Sequence, residues 1–228
     1  MCVTGVHGVM ESQYNPRILD IHNAAGMVTP DGMPLVWLLK MEGQRHADRV
    51  YGPDLMALVF ERSRASGHRH FLYGSSEETL RLLRANLERR YPGCRIVGTH
   101  APPFRPLTPE EDAEIVRTID ASGADIVWVG LSTPKQELWM AEHRPKLAAP
   151  VLIGVGAAFD FHAGLKKQAP RLIQRSGFEW LFRLASEPRR LWKRYAVNNP
   201  AFVVRVLGQK TNLLRYPSPD DPARLGRH

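Results

Sequence analysis

The chain has 228 residues, 43% of them hydrophobic and 24% charged, with a net charge of +8. That length carries a single domain with a sizeable core, and the composition excludes a disordered or fibrous chain. The longest uncharged apolar run, LAAPVLIGVGAAF, is too short to span a bilayer, and no basic region followed by an apolar core marks a secretory signal.

Short runs rich in Val and Ile alternate with helix-patterned segments. Strands are predicted at CVT (2–4), MVT (27–29), HFLYG (70–74), RIVGT (95–99), DIVWVGL (125–131) and PVLIGVG (150–156). Helices are predicted between them at 16–25, 33–42, 53–66, 76–91, 109–122 and 135–143. Strands that are apolar on both faces and separated by helices predict an α/β fold, a mostly parallel sheet flanked by helices. The first strand starts at once, with no element before it, so a truncated start is one reading of the chain. The helix at 109–122 carries the plainest signals: Thr108 as N-cap, Pro109 in the first position, acids at 110–112 and Gly123 as the stop.

After Gly164 the pattern changes. From Pro170 to about Gly208 there is no strand candidate, only aromatic and basic helices, with Ser186-Glu187-Pro188 predicted as a break and Ser186 as the cap of the restarted helix. Between Arg171 and Arg215 lie ten Lys or Arg against two acids, so the net charge belongs to this end. The expected organisation is a core over 1–168, a basic helical appendage over 169–208 and a disordered tail over 209–228. The two cysteines, Cys2 and Cys94, have no metal-ligand spacing; reduced thiols are the simple reading, with one disulfide left open.

Ligands of such sheets sit beyond the carboxyl ends of the strands, where this chain places GVHG, PDG, SSEE, STPKQE and AAFDFHAG. No nucleotide fingerprint is complete: GVGAAF lacks the third glycine of a dinucleotide loop, no phosphate-loop motif occurs, and there is no D-x-D to hold a metal on a sugar nucleotide. Asp31 reads as a Pro-Asp-Gly turn residue and equally as a carboxylate presented at a strand end. In STPKQELW, Ser132 or Thr133 is expected to cap a helix, with Glu137 completing the capping box and Lys135 and Gln136 in the first turn, where an anion is favoured. Asp160, a lone acid among apolar neighbours, requires a partner, whether a loop amide or a ligand, while His162 reads as a filler. On the last basic helix Arg190, Lys193 and Arg194 share a face beside Leu191, Trp192 and Tyr195, a mixture also found where helices lie on membrane surfaces. A nucleic-acid-binding α/β protein is the rival reading of that charge; a second rival, a nicotinamide or flavin enzyme on the same fold, lacks the glycine fingerprint.

Taken in order, VTPDG, RVYGPDL, FLYGSSEET, YPGCRIVG, VGLSTPKQELWM, IGVGAAFDFHAG and EWLFRLASEPRRLWKRY resemble the WecG/TagA/CpsF family of bacterial glycosyltransferases. The resemblance covers about residues 1 to 207. It implies a Rossmann-like core with a helical appendage that helps close the active site and contacts the membrane. It also implies inverting transfer of one sugar (N-acetylmannosamine, its uronic acid or glucose) from a UDP-sugar to a polyprenyl-diphosphate-linked saccharide in cell-surface polysaccharide assembly. A cytoplasmic enzyme peripheral on the inner membrane follows, metal-independent and without cofactor; a homo-oligomeric state is left open. By position, Asp31 matches the family's catalytic base and Thr4 a threonine near the reacting sugar. Arg49, Gln136 and Asp160 match residues binding the donor, and Arg183, Arg190, Lys193 and Arg194 match appendage cations meeting the lipid diphosphate. Two positions depart from the pattern: Val6 stands where Asn is usual, and Gln168 where Arg is usual.

Overall fold

The computed structural model describes residues 1–216. Strand β1 (Cys2–Thr4) leads into α1 (Val6–Tyr14) and α2 (Pro16–Ala24), and β2 (Val28–Pro30) into α3 (Met33–Met41) and α4 (Gly52–Ser66). Then follow β3 (Arg69–Gly74), α5 (Glu77–Arg90), β4 (Arg95–His100), α6 (Pro109–Ala121), β5 (Ile126–Gly130), α7 (Lys135–His143), β6 (Val151–Gly154) and α8 (Ala158–His162). The chain closes with α9 (Arg171–Arg175), α10 (Glu179–Ser186) and α11 (Pro188–Lys210). All six expected strands form one parallel sheet in the order β2-β1-β6-β5-β3-β4. The fold is Rossmann-like α/β.

Alternation along the strands builds two cores, because successive side chains leave opposite faces of the sheet. Leu72, Trp128 and Ile153 face Met56 and Phe60 of α4, Leu80, Leu83 and Leu87 of α5, and Phe159 of α8. Their neighbours Phe71, Tyr73, Val127, Val129 and Leu152 face Ile115 and Ile119 of α6 and Trp139 and Met140 of α7. A large apolar side chain buried this way stabilises the fold by about 1.5–3 kcal/mol, so a sheet covered on both sides is strongly held. A third cluster of Met10, Leu35 and Phe202 fixes α11 to α1 and α3.

At the carboxyl edge β3 and β5 approach so closely that only glycine fits. Gly74 has φ +115°, and a Cβ there would lie 2.8 Å from the carbonyl carbon of Gly130. Two helices go beyond the sequence reading, α1 and α8. Ser186 does not cap α11: Glu187 holds the N-cap position, and the Ser186 hydroxyl donates to Phe182 O in the preceding helix. Helix α11 runs to Lys210, two residues into the expected tail, and Leu214 N–H donates back to Gly208 O; residues 217–228 of the expected tail lie outside the described residues. Both cysteines are free. Among the described residues no helix is long and apolar enough to cross a membrane.

Candidate active site

Asp31 follows β2 directly, and Gly32 is the N-cap of α3. Its own N–H donates to Thr4 O at 2.9 Å, which pins it at the carboxyl ends of β1 and β2. The carboxylate is 30% exposed, but Oδ1 is buried with no hydrogen-bond partner. Burial pushes the Asp31 pKa up to about 7, against the pull of the Arg49 guanidinium, with the nearby Glu179 carboxylate adding to the rise. A carboxylate in this state exchanges protons near neutrality.

Arg49 joins this corner to the appendage. Its Nε donates to Asp31 O at 2.6 Å, Nη1 to Gln174 O of α9 at 3.4 Å, and Nη2 to Glu179 Oε2 of α10 at 2.5 Å. Nη2 also lies 3.7 Å from Asp31 Oδ1, and the guanidinium stacks over the Tyr51 ring with 4.2 Å to its centroid. Arg49 is only 11% exposed, so its charge is used within the cleft. Tyr51 presents a buried hydroxyl without a partner, and burial, then Glu179 and Asp31, raise its pKa. Arg183 of α10 completes the group, 5.8 Å over the Phe161 ring. Burial works against its charge, but Tyr195, Asp31, Glu179 and Tyr51 hold its pKa above the ordinary value. The corner therefore contains two carboxylates, two guanidiniums and two phenols, contributed by the core and the appendage together.

The other expected residues are distributed around it. Thr4 is buried; its hydroxyl lies 3.4 Å from His22 Nε2, and His22 Nδ1 lies 2.8 Å from the Ser12 hydroxyl, which donates to Gly8 O. Gln136 is buried at the start of α7, donating from Nε2 to Glu137 Oε1 at 3.1 Å, while its own Oε1 has no partner. Neither Ser132 nor Thr133 caps α7. The Thr133 hydroxyl instead donates to Glu137 Oε1 at 2.9 Å, because this carboxylate is buried and needs donors more than the helix end does. Asp160 has a protein partner, Lys166 at 2.6 Å, which also reaches Glu187 at 3.4 Å. No hydrogen bond or ion pair joins Asp160 to Asp31 or Arg49 among the described residues. His162 is a filler as read, bonded through Nε2 to Pro53 O at 2.9 Å.

Of the four appendage cations Arg183 is the one whose charge acts on Asp31, while Arg194 lies near enough to Tyr195, Arg190 and Arg183 to feel their charges, with burial first among the causes that hold its pKa below the ordinary value. Arg190 pairs with Glu187 at 2.6 Å, Lys193 is exposed, and Arg194 is half-buried beside His7, where burial and then Arg194 itself lower the histidine pKa to about 4. Among the described residues no three His, Cys, Asp or Glu side chains gather as a metal site.

The sequence profile of the Glycosyl transferase WecG/TagA/CpsF family matches residues 1–216. The chain belongs to this family. It is a glycosyltransferase. Within the WecG/TagA/CpsF family it is similar to an N-acetylglucosaminyldiphosphoundecaprenol N-acetyl-beta-D-mannosaminyltransferase of Bacillus spizizenii, 29% identical over 197 residues, which are 86% of this chain and 74% of the relative. Membership of a glycosyltransferase family takes the place of the nicotinamide or flavin enzyme as the activity of this fold.

Two members of the corner were not singled out in the sequence, Glu179 and Tyr51. Tyr51 lies inside a motif that carries the family resemblance, RVYGPDL, which is the signal that could have found it. Glu179 meets Arg49 across a separation of 130 residues, and no local pattern announces that contact.

Proposed function

We propose that this glycosyltransferase moves one N-acetylmannosamine-type sugar from a UDP-sugar to a polyprenyl-diphosphate-linked N-acetylglucosamine, with inversion, for cell-surface polysaccharide. The printed activity of the Bacillus relative supports the choice of sugar and of lipid-linked acceptor. The observation that carries the reading is the Asp31 carboxylate, with its pKa near 7 beside Arg49 and Arg183.

In the proposed step the acceptor hydroxyl oxygen attacks the anomeric carbon as its proton passes to the ionised Asp31. The bond from that carbon to the diphosphate oxygen breaks, and the oxygen keeps the electron pair. A base positioned in this way accelerates transfer by about 10²–10⁴. The charge that gathers on the UDP leaving group meets Arg49 and Arg183, fixed donors in a largely water-excluded corner. Thr4 and Gln136 are assigned to the donor sugar, and Asp160 to the nucleotide end once it leaves Lys166. Arg190, Lys193 and Arg194 are assigned to the lipid diphosphate. Neutralisation by arginine makes the reaction independent of divalent metal, so excess chelator leaves its rate unchanged.

The appendage is read as the membrane-contacting part, at the cytoplasmic face of the inner membrane. Leu172, Phe178, Leu181, Trp192, Val197 and Val204 are exposed along it, interleaved with Arg189 and Lys193. Apolar and aromatic side chains beside cations suit an anionic lipid surface. The test is UDP release from a panel of UDP-sugars with a short-chain prenyl-diphosphate N-acetylglucosamine. Release that requires both acceptor and UDP-N-acetylmannosamine supports the proposal, and silence across the panel rejects it.

A further inference from the structure

Among the described residues, the ion pair between Glu179 and Arg49 is the one contact in which the C-terminal helices place an anion on a cleft guanidinium. Both partners are nearly enclosed, at 13% and 11% exposure, and they meet at 2.5 Å. Arg49 is fixed on its other edges by Asp31 O and Gln174 O, which leaves Nη2 as the side facing an anion. A buried guanidinium needs such a partner, because an unpaired charge out of water is costly. We propose that Glu179 occupies the position of a substrate phosphate and is the group that the phosphate displaces from Arg49 on binding. This rests on the reading of the cleft as a nucleoside-diphosphate-sugar site.

Three further observations support displacement rather than a permanent pair. Glu179 stands in the first turn of α10, and α10 has no fully buried residue, so the helix is held by half-buried contacts that a small shift can break. Arg183, one turn further along the same helix, shares the Asp31 corner and stays there as a second cation once Glu179 leaves. The exchange also conserves charge, since Arg49 trades a carboxylate for a phosphate oxygen and is not left bare. Glu179 is then a positioning residue. In the empty enzyme it holds Arg49 in its binding geometry, and its side chain swings off Arg49 as the phosphate arrives while α10 keeps Arg183 in the corner.

A carboxylate that must be displaced weakens the binding it precedes by the fraction of molecules in which the site is open. If the pair is closed in about nine molecules of ten, removing it tightens binding about tenfold. The experiment is calorimetric titration of UDP into the wild type, Glu179→Gln and Glu179→Asp, with melting curves for all three. The inference predicts that Glu179→Gln binds UDP about tenfold more tightly than the wild type and lowers KM for the donor. Equal or weaker UDP binding by a folded Glu179→Gln overturns it, since Glu179 then only supports Arg49. Should Glu179→Gln fail to fold, Glu179→Asp carries the same comparison: its shorter reach loosens the pair, so tighter UDP binding is expected and unchanged affinity overturns the inference. A wild type that binds no UDP overturns the underlying reading of the cleft instead, and the inference with it.

Discussion

Replacing Asp31 by asparagine removes a proton-binding group whose pKa is about 7 in the folded chain against an ordinary 3.8. A carboxyl raised in this way contributes its stability in the protonated form. That contribution is complete below about pH 4 and is lost as the pH rises through 7, where the folded chain holds an ionised group it disfavours. Linkage alone sets a ceiling of about 4 kcal/mol for such a gap. Because the side chain keeps 30% of its exposure, water screens part of this, and we expect about 2 kcal/mol. Asparagine has no proton to lose. Its advantage over the wild type should therefore grow by about 2 kcal/mol between pH 4.5 and pH 8, a widening of roughly 4–8 °C in the Tm difference for a chain of this size. Thermal melts of both proteins at the two pH values measure this directly, and effects common to the fold cancel in the difference. A Tm difference that is the same at both values, or larger at the acid one, would refute the assignment of a buried, proton-sharing carboxyl.

Arg49→Lys keeps the charge but loses the planar fork that reaches Asp31 O, Gln174 O and Glu179 at once. We expect kcat/KM to fall by about 10²–10³, measured with donor below saturation. Leu191 of α11 is wholly buried, so Leu191→Ala should cost about 2–5 kcal/mol in denaturant titrations. Trp192, its neighbour, is 58% exposed. Trp192→Glu should leave the melting curve in place and weaken sedimentation with anionic vesicles, most at low salt, where the added charge is least screened.

The strands were legible because each is a short run of β-branched or aromatic residues with turn residues near its ends, and the central β5 and β6 are apolar along most of their length. Helix α6 was legible for a different reason: the Thr108 and Glu111 side chains form the capping box locally, so its start is set within four residues. Helix α1 was hidden by Gly5 and Gly8, which read as a loop after the strand. Val6, Val9 and Met10 carry the i, i+3, i+4 spacing that could have revealed it. The start of α7 misled because Thr133 is a capping residue type directly before Pro134, yet its hydroxyl serves the buried Glu137 carboxylate four residues on, one more than a capping box allows. In the site, Asp31 was visible as a strand-end acid in a turn. Its protonation depends first on burial and then on Arg49 and Glu179, and Glu179 reaches the corner only because the C-terminal helices fold back over the core. Spacing along the chain carries no trace of that.

The most direct test of the account is the pH dependence of acceptor-dependent UDP release by the wild type and Asp31→Asn. With Asp31 as the base, wild-type kcat/KM rises with pH through an acid limb centred near 7 and then levels, as the ionised form becomes complete. The Asp31→Asn protein should be slower by about 10²–10⁴ and lack that limb. An asparagine variant that keeps both the rate and the limb would show that another group takes the acceptor's proton, and the central claim would fall.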